Sequence, residues 1–165
     1  MCILDVFIAW RWGDWRNWKK YQSTILYFIL GDLLYNFLCY NYSMWEYEPV
    51  FLNKSHTIMN LTVMFIGYPC RIFVFLGRYP SGWIKQILWI GLWALVWSLF
   101  EWLNVKNGEF SYHNGWTIMC SVFLNFIIYA LIRLHYKKPL LTYLLSVLVT
   151  AVLLTIFNVP ISKMK

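Results

Sequence analysis

Long apolar runs alternate with short polar breaks along this chain, and the lengths of the runs are the first informative quantity. Five stretches, about 21–42, 57–76, 83–103, 116–134 and 139–159, approach the roughly 20 apolar residues that a helix needs to cross a hydrocarbon layer. The breaks between them are the polar segment NYSMWEYEPVFLNKSH (41–56), the turn Gly77–Gly82, a second polar segment at 104–115, and the tight basic connection His135–Lys138. Pro139 opens the fifth run, where a missing N–H costs a helix nothing. That run has no charge until Lys163, so it lacks the polar stripe of a helix in a soluble bundle. The pattern predicts an all-α integral membrane bundle of five transmembrane helices, one domain over 1–165. A four-span version, with the second run re-entrant at Pro69, is the rival arrangement.

Residues 1–20 follow another rule. Trp10, Trp12, Trp15 and Trp18 are interleaved with Arg11, Arg16, Lys19 and Lys20. Indoles and cationic side chains both favour the headgroup layer, where a ring is half buried and a charge stays wet. An N-terminal interfacial Trp-rich segment is predicted here, with a tryptophan-rich recognition arm as the alternative. The apolar run Ile3–Trp10 contains Asp5 and has its positive charges after it, so it does not read as a secretory signal.

Composition narrows the class. The chain is 61% hydrophobic and 13% charged, against about a quarter charged in soluble domains. The formal charge of +7 is spread in clusters between the runs and forms no single basic patch, which argues against nucleic acid. A cytoplasmic N-terminus collects ten of the fourteen Lys and Arg residues on the inner side, the bias expected of cytoplasmic loops, and leaves the C-terminus outside. The four cysteines (Cys2, Cys39, Cys70, Cys120) lack metal-ligand spacing and read as free thiols, with a Cys39–Cys120 disulfide as the alternative.

Three constellations carry the candidate chemistry. The first is a polar layer inside the spans. Asp32 falls halfway along the first run, at a depth where a carboxylate costs about 2.5 to 3.5 kcal/mol on insertion scales. Asn125 reaches nearly the same depth, Arg71 lies somewhat closer to the cytoplasm, and Tyr35 is one turn from Asp32. An Asp32–Arg71 pair fixing how helices dock is one reading; an ion or proton site, with Asn125 and Tyr35 lending hydrogen bonds, is the other. The second constellation is on the outer face, where His56, His113, Glu46, Glu48 and Glu101 come from two loops and a helix end. His and carboxylate ligands suit zinc, but no pair has HxxxH or HExxH spacing, so these read as solvated polar residues and no bound metal or cofactor is expected. The third is the stripe Trp89, Trp93 and Trp97, a packing face or the wall of a ligand groove.

The stretches WGDWRNWKKYQSTILYFILGDLLYNFLCYNYSMWEYEP and SHTIMNLTVMFIGYP, then Glu101 followed by SYHNGW, resemble an uncharacterised family of small multi-pass membrane proteins of spore-forming Gram-positive bacteria. The resemblance covers roughly the first 130 residues and implies a bacterial cytoplasmic-membrane protein. It implies no activity and no catalytic residues. No Walker loop, GxGxxG or GxSxG motif is present. The function expected from sequence is an accessory or interaction subunit in the lipid bilayer, associating with a larger membrane protein or a second copy of itself. A small oligomeric transporter using Asp32 and Arg71, or an outer-face enzyme acting on lipid or envelope substrates, are the alternatives.

Overall fold

The computed structural model describes residues 2–48 and 55–165. In chain order it contains α1 (Cys2–Trp12), a 3-10 turn (Trp15–Asn17), α2 (Trp18–Leu38), β1 (Trp45–Tyr47), α3 (His56–Thr62), a π-helical turn (Val63–Gly67), α4 (Tyr68–Phe75), α5 (Trp83–Lys106), β2 (Phe110–Tyr112), α6 (Ile118–Lys137), α7 (Pro139–Ile156) and a last 3-10 turn (Ile161–Lys163). The fold is mostly helical, and four helices are long and apolar enough to cross a membrane: Thr57–Phe75, Trp83–Lys106, Ile118–Lys137 and Pro139–Ile156. The first predicted run, α2, is not among these four, because Gln22, Asp32, Asn36 and several tyrosines dilute its hydropathy.

The chain does not turn back at Pro69. The α3 and α4 segments form one rod through the π-helical turn, in which the Tyr68 N–H donates to the Val63 carbonyl five residues earlier. Proline lacks an N–H and crowds the carbonyl four residues before it. Widening the turn just ahead of Pro69 accommodates both defects without breaking the helix.

Two further expectations are corrected. The first helix stops at Leu38 and not at 42, with the Cys39 N–H closing on the Tyr35 carbonyl. The two polar segments are not plain loops either. They meet as an antiparallel ribbon, Trp45 opposite Tyr112 and Tyr47 opposite Phe110, so the all-α description holds for everything except these two short strands.

The largest core cluster lies where α2, α4, α5 and α6 meet. Phe75 is fully buried there, with the rings of Tyr79, Trp93 and Tyr129 around it at centroid distances of 5.0–5.6 Å. One end of α6 is tied to its neighbours by His135, which is buried. Its Nδ1 meets Thr24 Oγ1 of α2 at 3.1 Å, its Nε2 meets the Tyr143 hydroxyl of α7 at 3.2 Å, and its ring stacks on Tyr27. Tyr27 in turn reaches Ser146 of α7 at 2.7 Å.

The Trp-rich N-terminus has a protein partner. Helix α1 runs parallel to α4: Asp5 lies beside Gly67 and Arg71, Ala9 packs with Cys70 and Val74, and the Arg78 Nε donates to the Trp12 carbonyl. One face of α1 is buried on the rod while Leu4, Val6, Phe7 and Trp10 are exposed. The buried face carries the ion pair Arg71 Nη2–Asp5 Oδ2 at 3.3 Å, with side-chain exposures of 9% and 2%. Gly67 makes room for it, since a Cβ there would stand 3.3 Å from the Asp5 carboxylate. Breaking one partner of a buried pair strands the other charge, a cost of about 3–5 kcal/mol. Asp5→Ala should therefore lower the melting temperature in detergent sharply, and adding Arg71→Met should recover most of the loss. An unchanged melt of Asp5→Ala would remove the pair from this account.

Candidate functional site

A cavity of about 260 Å³ lies beneath the ribbon, among α2, α6, α7 and the rod. Its ceiling follows from the period-2 geometry of the strands. The sequences Trp45-Glu46-Tyr47-Glu48 and Phe110-Ser111-Tyr112-His113 alternate apolar and polar residues, and the pairing register puts the four aromatics on one face. Trp45, Tyr47 and Phe110 line the cavity. The ceiling is pinned by Tyr35 of α2, whose ring stacks on Trp45 at 3.8 Å and 1°. The Tyr35 hydroxyl donates to the Trp45 carbonyl and accepts from the Met44 and Trp45 N–H groups, at 2.7, 2.9 and 2.9 Å.

All four residues of the predicted polar layer line this cavity, but not with the partners expected. Asp32 accepts from the Tyr68 hydroxyl at 2.9 Å and lies near Asn36, while the carboxylate paired with Arg71 is that of Asp5. The expected Asp32–Arg71 pair is thus replaced, because α1 brings a second carboxylate to the far side of the guanidinium. Tyr35 holds the ribbon and does not bond Asp32. Asn125 Nδ2 donates to Ser98 Oγ at 3.1 Å.

The outer-face set divides. Glu101 belongs to the cavity: it accepts from the Tyr112 hydroxyl at 2.7 Å and is bonded by the Ser121 and Asn125 side chains. Burial, reinforced by that hydrogen bond to Glu101, raises the Tyr112 phenol, which keeps it a donor. Glu46, Glu48 and His113 stand together on the polar face of the ribbon, one ligand atom of each within 4.8 Å of the others. Their donor types suit a divalent cation, but they are engaged with one another. His113 Nε2 lies 3.1 Å from Glu46 and 2.9 Å from Ser111 Oγ, and Ser111 Oγ donates to Glu48 at 2.6 Å. His56 starts α3, and its side chain lies outside the described residues.

The tryptophan stripe serves both packing and a groove. Trp89 Nε1 donates to the Phe75 carbonyl at 3.1 Å, and Trp93 packs edge-on against Phe75. Trp97 covers Arg71, with the guanidinium carbon 3.5 Å from the ring centroid. The three rings also line an apolar crevice of about 220 Å³ between α1 and α5, with Asp5 and Arg71 in its wall. Arg71 and Trp97 line both spaces and so form the partition between them. Cys39 and Cys120 are free thiols; no Cys39–Cys120 disulfide forms, although both residues belong to the cluster beneath Met44 and Trp116. Cys2 lies outside the described side chains.

Sequence reasoning missed Asp5 and the aromatic ceiling. The signals were an acid inside the run Ile3–Trp10 and the matched alternation of Trp45–Glu48 with Phe110–His113. No family model, curated protein or solved structure matches the chain.

Tyr35→Phe removes all three hydroxyl bonds to the ribbon. At about 0.5–1.5 kcal/mol per bond, this should destabilise the protein by about 1.5–4.5 kcal/mol, with hydrogen exchange rising first at residues 44–47 and 110–113. Faster exchange confined to α2 would contradict this role for Tyr35.

Proposed function

We propose that this chain is a five-span protein of a bacterial cytoplasmic membrane that binds an amphiphilic molecule in the cavity beneath the ribbon and acts by binding, as an accessory subunit. The observation that carries this reading is the shape and lining of the cavity. Asp32, Arg71, Glu101 and Asn125 supply polar groups, while Leu34, Val149 and Leu153 supply an apolar wall. Gly31 and Leu34 are exposed and also line the cavity, which places its mouth on the outer surface of α2, towards α7. Lipid-soluble molecules reach such a mouth without leaving the membrane. An apolar pocket with a few convergent polar groups is the usual form of a small-molecule site.

The fifth span is α2. At 1.5 Å per residue, its 21 residues reach about 31 Å. Its polar groups turn inward, Asp32 to Tyr68 and Asn36 to Asn60, while Leu26, Leu30, Leu33 and Phe37 are exposed as a lipid-facing stripe. Part of its low hydropathy thus comes from its protein-facing side, and the rest from Lys19, Lys20, Gln22 and Ser23, which are exposed in its first turns. Exposed Trp10, Trp12, Trp15 and Trp18 share an end of the bundle with Arg78, near Trp12, and are followed by Lys19 and Lys20, which supports a cytoplasmic position for the connection between α1 and α2. A reporter active only outside the membrane should be on when fused after Lys165, and one active only in the cytoplasm should be off; the reverse pattern overturns this topology.

Gly31 tests the binding reading. A Cβ at Gly31 would meet no atom within 4 Å, and glycine inside a helix is worse than alanine by about 0.5–1 kcal/mol. Gly31→Leu should therefore fold at least as stably as the parent while filling the mouth. Native mass spectrometry from mild detergent should show an amphiphile on the parent chain and little on the variant. Equal retention by both would defeat the cavity as the site. A transporter is the second reading, favoured by the crevice on the other side of the Arg71–Trp97 partition.

A further inference from the structure

The described side chains around the cavity and the crevice carry a charge imbalance. Asp32, Glu101 and Arg71 line the first, and Asp5 with the same Arg71 lines the second, so three carboxylates share one guanidinium. Asp5 takes that guanidinium. Glu101 is held by hydroxyl and amide donors with no cation among them, and Asp32 by the Tyr68 hydroxyl, with the same Arg71 attracting it only from beyond ion-pair distance. Carboxylates at membrane depth that must share one guanidinium already paired elsewhere are costly unless something further and positive joins them. The walls suit an ammonium group. Phe28, Tyr35, Trp45 and Tyr68 all line the cavity, and aromatic rings attract organic cations.

A second, independent observation asks for the opposite group. Arg71 Nε and Trp97 Nε1 are buried without a hydrogen-bond partner among the described residues, although more than nine-tenths of buried polar groups find one. Both are donors, so what they lack is an acceptor. Both residues line the cavity. Arg71 spends one N–H on Asp5 at 3.3 Å and rests on the Trp97 ring, so its Nε remains available to an incoming oxygen. Planar N–H groups of this kind pair well with phosphate.

We propose that the cavity takes the head of a zwitterionic aminophospholipid, with its ammonium between Asp32 and Glu101 under the aromatic ceiling and a phosphate oxygen on Arg71. The acyl chains leave past Gly31 and Leu34 along α7. This rests on the reading of the cavity as an amphiphile site and adds the class of headgroup. An anionic head without the amine would meet Asp32 and Glu101 uncompensated. A trimethylated head keeps its charge but loses its N–H donors to the carboxylates.

The test uses the purified, delipidated full chain in mild detergent, offered equal amounts of dioleoyl phosphatidylethanolamine, phosphatidylcholine and phosphatidylglycerol and read by native mass spectrometry. Phosphatidylethanolamine should be retained about tenfold more tightly than phosphatidylglycerol, the ratio that 1.4 kcal/mol represents, with phosphatidylcholine between them. Asp32→Asn combined with Glu101→Gln should abolish the preference while leaving the helical circular dichroism unchanged. If that variant does not fold, the headgroup ranking of the parent chain decides alone. Equal retention of all three lipids would keep the amphiphile site and overturn the headgroup assignment. Retention of none would overturn both.

Discussion

A guanidinium inside an apolar bundle is the constraint on which the rest of this structure depends. Arg71 sits on a rod whose other buried side chains are mostly apolar, and the protein answers it from three directions. Helix α1 brings Asp5, Trp97 of α5 lays its ring on the charge, and Gly67 leaves the space through which the carboxylate approaches. Each answer fixes a larger element. The short N-terminal helix is held to the rod, and the tryptophan stripe of α5 is aligned along α4. The partition between the two internal spaces is made from the residues that solve the charge problem.

The cavity is bounded by polar contacts at both ends. Above, Tyr35 fixes the ribbon through one hydroxyl and one stacked ring. Below, Tyr27, Ser146 and His135 tie α2, α6 and α7 together. Between these ties α2 presents Gly31, with no neighbour filling the place of its absent side chain. Helices joined at two levels and left apart between them enclose a space without needing a wide bundle.

Helix positions were legible in the sequence because bilayer thickness fixes the length of an apolar run. The rod, α5, α6 and α7 follow the expected bounds to within a few residues. The residues of the polar layer were legible too, since Asp32, Arg71 and Asn125 stand out against apolar neighbours. Their partners were not. Arg71 is separated from Asp5 by more than a full span of chain, and nothing in periodicity says which of two carboxylates a guanidinium will meet. The ribbon was harder to see for another reason: an alternation only four residues long at Trp45–Glu48 and at Phe110–His113 is a weak signal, and Trp45 and Tyr112 are 67 residues apart in the chain.

Synthesis proceeds from the N-terminus, and the two long-range contacts differ in their timing. Asp5 is already made when Arg71 emerges, so the charge can enter the bilayer with its partner waiting. β1 is made early but must wait for α5 to be inserted before β2 exists. The ceiling therefore cannot close before residue 112 has been made. The enclosure of the cavity thus depends on a contact between two segments made far apart in time.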